Sequence, residues 1–225
     1  MLFSSKNSSC RPFLFIHIPK SAGSSIRRTL FPYSSKKQIF FQLINHASYV
    51  LSRRYIMSNP VYKYHPHANH VIDHLGQTIY TRYYTFAITR NPLSRLISMY
   101  TYLLDKKNNP MHCLVKNKSF DEFISYCIKD KPLFIYQNIY THYNGHPLVN
   151  RLAKLENIGY DFKGICEDID IKPPNLKFSN KSDYSKSETL YLSQSNFEEI
   201  LHVLAMDYEY YDYSLTKIPS FITLV

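Results

Sequence analysis

Residues 13–26 limit what this chain can fold into more than any other stretch: Phe-Leu-Phe-Ile-His-Ile-Pro-Lys-Ser-Ala-Gly-Ser-Ser-Ile. The opening apolar run is short and lacks polar alternation, the pattern of a strand buried on both faces. Lys20 and small residues follow. Ile26 and Leu30 then stand at i, i+4, the spacing of a helix's apolar stripe. The stretch predicts a strand over 13–18, a tight loop and a helix over Gly23–Leu30. N–H groups at such a helix start lack intrahelical partners, and the helix dipole favours negative charge there. Small side chains at Ser21, Ala22, Gly23, Ser24 and Ser25 let a phosphate or sulfate approach the main chain, with hydroxyl donors from the serines and a point charge from Lys20. The segment reads as an anion cradle. Its order differs from the Gly-x4-Gly-Lys-Ser/Thr loop of ATP-binding folds, since Lys20 precedes the segment's only glycine, which argues against a true P-loop NTPase.

A second junction repeats the layout. Residues 83–89 (Tyr-Tyr-Thr-Phe-Ala-Ile-Thr) predict a buried strand, and 92–104 a helix with Pro92 in its first turn. Arg90 then lies at a strand's C-terminal end, where α/β sheets bind ligands. Its guanidinium can grip a phosphate through two parallel bonds, and Ser98, two turns into the helix, can add a hydroxyl. Alternatively, Arg90 caps the helix or pairs with a buried carboxylate.

Elsewhere, 38–57 reads as helical and 62–70 as a loop entering a short helix that stops near Gly76. Residues 119–127 read as a helix opened by a Ser119/Glu122 capping box. A turn at 144–147, a third strand over 148–155 and a helix over 161–169 follow. A loop over 172–187, a C-terminal helix over 197–206 and a Tyr-rich stretch over 207–213 complete the chain. Residues 1–11 are polar and expected to be loose. No repeat or linker is visible, so the 225 residues read as a single domain. Alternating strands and helices predict an α/β fold with a mostly parallel central sheet flanked by helices.

The net charge of +10 points to an anionic partner. The Arg53-Arg54 and Lys106-Lys107 pairs read first as solvated charge. Cys10, Cys113, Cys127 and Cys166 are scattered without a CxxC pair, which fits reduced thiols rather than a disulfide framework or a zinc ribbon. Residues 13–18 are too short for a signal h-region, and no membrane span is visible, so the chain reads as soluble and cytoplasmic.

The two junctions carry a resemblance. His17-Ile-Pro-Lys-Ser-Ala-Gly-Ser-Ser25 resembles the 5′-phosphosulfate loop of sulfotransferases, and Arg90-Asn-Pro-Leu-Ser-Arg95-Leu-Ile-Ser98 resembles their 3′-phosphate motif, in the same order. The branch that fits best includes the heparan sulfate uronyl 2-O-sulfotransferases and bacterial carbohydrate sulfotransferases. Lys154-Leu-Glu156-Asn157 with Asp161-Phe162 is similar to a further stretch of that branch. Pro174-Asn175 and Asn180-Lys181-Ser182 are similar to its later loop, and 206–213 to its closing segment. Leu93 and Ser94 depart from it, standing where aromatic or acidic residues are frequent. The resemblance implies a P-loop-like three-layer fold and 3′-phosphoadenosine 5′-phosphosulfate as co-substrate, with no metal requirement. It also implies a glycan or other hydroxyl acceptor, and nucleotide contacts from Lys181 and Ser182 as well as from the two motifs.

The dense His65-Pro-His67-Ala-Asn-His70…His74 segment has three readings. Helical spacing of His67, His70 and His74 suits zinc, but no carboxylate or Cys completes a site. His70 and His74 also suit an inert polar helix face. By the resemblance, His67 is the base that deprotonates the acceptor, His65 is a supporting or alternative base, and Lys20 stabilises the departing oxygen. Two other classes remain open from the residues alone: a nucleotide-binding module or kinase-like enzyme using ATP, and a basic nucleic-acid binder stacking bases on tyrosines.

Overall fold

The computed structural model describes residues 2–3, 10–33, 65–176, 189–215, 219 and 222–225. The expected helix over 38–57, and Lys181 and Ser182, lie outside these residues. The chain divides into two compact units, Met1–Thr89 with Ile139–Ser179 and Arg90–Asn138 with Asn180–Val225.

The first unit is built on a four-stranded sheet. Strands β2 (Phe13–Ile16), β3 (Tyr84–Thr89) and β6 (Arg151–Lys154) are parallel, and β1 (Leu2–Phe3) adds antiparallel to β2, in the order β1-β2-β3-β6. Every residue of β2 and β3 is buried, as strands covered on both faces require. Phe13, Phe15, Phe86 and Ile88 point to one face, against Ile26 and Leu30 of α1 (Gly23–Leu30) and Phe162 and Ile165 of the helix Ile158–Asp168. Leu14, Ile16 and Ala87 point to the other, against Ala68 and Val71 of α2 (Ala68–Leu75). Helices therefore cover both faces of this parallel sheet, and the chain is α/β.

Several boundaries match the sequence reading because their signals are local. Helix α1 spans the expected residues, and α2 stops at Gly76, whose φ of 80° suits the residue without a Cβ. The expected turn at 144–147 is the tip of a hairpin pairing β4 (His142–Tyr143) with β5 (His146–Pro147). Asn144 and Gly145 carry the two positive φ values that such tips need.

The second unit is mostly helical. Helix α4 (Pro92–Asp105) begins with Pro92 in its first turn, and the Asn91 side chain accepts from Ser94 N–H at 3.0 Å. It follows the short α3 (Gln77–Tyr80) and β3 in the chain. Helix α5 (Phe120–Asp130) carries the complete Ser119/Glu122 capping box. Tyr100 meets Phe120 and Phe123 at ring distances of 5.3 and 5.6 Å. Asp121 ties the next layer down, accepting from Ser193 N–H at 2.8 Å and Asn196 Nδ2 at 2.8 Å.

One expectation is corrected here. The helix read over 197–206 is two helices, Gln194–Val203 and Ala205–Tyr210, with Leu204 at the break. The break lets Asp207 turn inward, a tertiary demand that overrides a continuous helical pattern.

Candidate active site

The turn after β2 is strained in a telling way. Lys20 has φ 69° and Ala22 has φ 55°, left-handed values unusual for residues with a Cβ. Such strain persists where a surrounding structure holds it, and it concentrates at ligand-binding turns. Left-handed bends of this kind are a feature of anion-binding nests. Ala22 is the N-cap of α1 and offers no side-chain cap, which leaves the helix start available for an outside acceptor. Ser21 is 1% exposed, and its hydroxyl has no hydrogen-bond partner among the described residues. A buried hydroxyl in that state is suited to a ligand oxygen. Ser24 is exposed, Ser25 is buried, and Lys20 is half-buried.

Gly23 has a reason that the sequence did not disclose. In the sequence, the small residues of this loop suggest room for the anion. A Cβ on Gly23 would instead lie 1.7 Å from both Cδ2 and Nε2 of His17. The glycine leaves room for an imidazole packed beneath the loop. His17 follows Phe13 and Phe15 on the same side of β2, and its ring stacks 5.8 Å from that of Phe15. Burial, then the His65 ring, hold its pKa well below the ordinary 6.5.

The histidines of the 65–74 segment occupy distinct environments. The His65 ring meets His17 edge-on at 4.3 Å, and burial lowers its pKa to about 4. His67 sits at the N-terminal boundary of α2, stacked 4.9 Å from His70 and edge-on to Tyr140 at 4.7 Å. Burial, helped by the His70 charge, lowers its pKa to about 4 as well. His70 and His74 are exposed. Among the described residues, no group of three His, Cys, Asp or Glu is arranged to hold a metal ion.

These shifts have a signed consequence. A histidine with a depressed folded pKa contributes stability that is present above its unfolded value of 6.5 and lost as pH falls towards 4. Asp207 acts oppositely. Burial raises its pKa from 3.8 to about 6, so its contribution is present below 3.8 and lost as pH rises through 6. Wild-type melting temperature should fall from pH 7 to 4.5, and Asp207→Asn should steepen that fall by removing the opposing contribution. A flatter profile in the variant would contradict the assignment.

Arg90 follows β3 directly, and sequence reading missed what holds it. The Gln137 side chain grips its main chain twice: Arg90 N–H donates to Oε1 at 3.0 Å, and Nε2 donates to Arg90 C=O at 2.8 Å. Gln137 is 0% exposed, and its own N–H donates to Asp207 at 2.7 Å, beside that of Asn138 at 2.8 Å. Arg95, from the same motif, is fully buried and donates to the carbonyls of Phe134 and Ile135. Its charge also favours ionised Asp207 against the desolvation that dominates. Arg95 thus anchors the segment that carries Gln137. Ser98 lies buried on α4. Nothing local marks Gln137 or Asp207 as partners of the motif.

The remaining similar stretch is structural. Asp161 accepts from Lys154 N–H at 2.7 Å and closes the end of β6, while Phe162 lies in the core. Lys20 to Ser25, His65 and His67 all belong to the first unit, and Arg90 and Ser98 to the second. Strands β2 and β3, which lead into the two motifs, are adjacent and parallel, so their C-terminal ends share one sheet edge.

No helix of the described residues is long and apolar enough to cross a membrane. Among known proteins, no curated protein and no solved structure matches the chain. The model of the Sulfotransferase family matches residues 8–214, a span that includes both strand–helix junctions and the histidine segment. The chain therefore belongs to the sulfotransferase family, transferases that move a sulfuryl group to an acceptor.

Proposed function

We propose that the chain transfers the sulfuryl group of 3′-phosphoadenosine 5′-phosphosulfate to a hydroxyl, on a carbohydrate acceptor. The observation that carries this reading is the Lys20–Gly23 turn: left-handed main chain, a buried hydroxyl awaiting a partner and a lysine, all at a helix start within a sulfotransferase chain. Ser21 to Ser25 hold the 5′-phosphosulfate, through the main-chain N–H groups of Ala22, Gly23 and Ser24 and the hydroxyls of the serines. Arg90 and Ser98 hold the 3′-phosphate. Lys181 and Ser182 belong to the proposed nucleotide contacts by resemblance. The family match runs through both units, which supports reading them as one sulfotransferase domain.

His67 takes the acceptor hydroxyl's proton as that oxygen attacks sulfur. Its depressed pKa keeps it neutral, with a lone pair to offer, at physiological pH. Lys20 meets the negative charge that develops on the bridging oxygen as its bond to sulfur breaks. The products are a sulfate ester and 3′-phosphoadenosine 5′-phosphate. The lysine and the turn's dipoles supply the electrostatic stabilisation, so the proposal includes no metal. The net charge of +10 suits the anionic donor.

The test is a thermal-shift and transfer experiment. 3′-Phosphoadenosine 5′-phosphate should raise the melting temperature where ATP with magnesium does not. Labelled sulfate should pass to a member of a panel of acidic glycans, neutral glycans, glycolipids and phenols. No shift at saturating nucleotide would sink the donor assignment. Within the second unit, Gln137→Leu should weaken binding of the donor product by roughly tenfold, about 1.4 kcal/mol, because Arg90 loses both main-chain anchors. Calorimetric titration reads this directly, and unchanged affinity would remove Gln137 from the site.

A further inference from the structure

We propose that His17 and His65 form a neutral imidazole clamp that holds the Lys20–Gly23 turn in its anion-receiving shape. On this assignment His65 is a positioning residue for the loop, leaving proton abstraction to His67. The inference rests on the donor reading above for its purpose, but its geometry stands by itself.

Three observations converge on the clamp. The His17 ring fills the space under Gly23 so closely that a single added carbon at Gly23 would collide with it. The ring is stacked on Phe15 of β2 at 5.8 Å. His65 then presses edge-on against it at 4.3 Å and hydrogen-bonds the His17 backbone. The turn is thus braced by His17, and His17 by His65. Neither Nδ1 atom has a hydrogen-bond partner among the described residues, and both are buried, which requires neutral rings. Arg27 of α1 places a positive charge near both rings. No carboxylate among these neighbours would support an imidazolium.

A base and a brace differ in what they need. A base needs a nitrogen directed at substrate, and a brace needs only a ring of the right shape. The contacts of His65 are those of a brace, edge-on to the His17 ring with a hydrogen bond to the His17 backbone; His67, at the start of α2, packs instead against Tyr140 and His70. The clamp also explains why a histidine, and not a larger aromatic, stands at position 17: the five-membered ring fits under a loop that tolerates no extra carbon.

The experiment combines ring titration with a binding and turnover split. Imidazole resonances of the wild type, recorded without nucleotide, should show His17 and His65 neutral down to pH 5 and close to each other. His65→Ala should weaken 3′-phosphoadenosine 5′-phosphate binding and raise donor KM at least tenfold, with a smaller change in kcat. His65→Phe, which restores a ring without a titratable nitrogen, should recover most of that affinity. His67→Ala should instead lose kcat about 100-fold or more and keep donor affinity. Independent titration of the two rings near 6.5 would overturn the clamp. So would unchanged donor affinity in His65→Ala, or a His65→Phe enzyme that binds donor normally yet loses turnover as fully as His67→Ala. Wild-type protein that binds no donor product would overturn the proposed function instead, a failure that the nucleotide-free ring titration keeps separate.

Discussion

Gly23→Ala is expected to abolish donor binding and sulfuryl transfer together and to lower the melting temperature. The new Cβ would sit 1.7 Å from two atoms of the His17 ring, less than half an ordinary carbon–carbon contact. Relief requires the His17 ring or the turn to shift. His17 is confined by Phe15 and His65, and Gly23 is the first residue of α1, fixed by the turn before it. Overpacking of this kind costs roughly 1–3 kcal/mol, and here the displacement falls on the turn proposed to receive the anion. His17→Ala in the same chain should relieve part of the loss. The double-mutant cycle, read by melting temperature and by affinity for 3′-phosphoadenosine 5′-phosphate, isolates the Gly23–His17 coupling. Strictly additive effects would show that the two residues do not meet as described.

Lys20→Ala is expected to leave the fold and donor-product affinity largely in place while reducing kcat about 100- to 1,000-fold. Alanine is no worse than lysine at a φ of 69°, and a half-buried lysine contributes little core, so the main loss is electrostatic. Removing one group that stabilises developing charge in an enclosed site raises the barrier by about 2.7–4 kcal/mol. Lys20→Arg should recover only part of the rate, because a planar fork does not replace a compact ammonium on the same stem. Turnover is measured at saturating donor, so that weakened binding does not masquerade as lost chemistry. A Lys20→Ala enzyme within threefold of wild-type kcat would remove this residue from the reaction.

The elements that sequence reading located best are those with local signals. Helix α1 announces itself by Ile26 and Leu30 and by the small residues before it. The capping box at Ser119 and Glu122 and the Asn144-Gly145 hairpin tip are written within four residues each. The buried strand expected over 83–89 is β3. Phe197, Ile200 and Leu204 keep a helical spacing through the expected C-terminal helix. Only the demand that Asp207 reach Gln137 and Asn138 breaks it at Leu204.

By itself, the sequence determined the order of two strand–loop–helix junctions, the cation delivered to each, and membership of the sulfotransferase family. Each junction rests on residues a few positions apart, where sterics and hydrogen bonding act directly along the chain, and the family match runs over residues 8–214. Only the tertiary structure decided why Gly23 has no side chain, which histidine lies under the loop and what pins Arg90. Those answers join His17 to His65, Arg90 to Gln137 and Gln137 to Asp207. The last two pairs stand 47 and 70 residues apart. Buried polar groups and rings must find partners wherever the packed chain brings them, and that choice leaves no mark in local sequence.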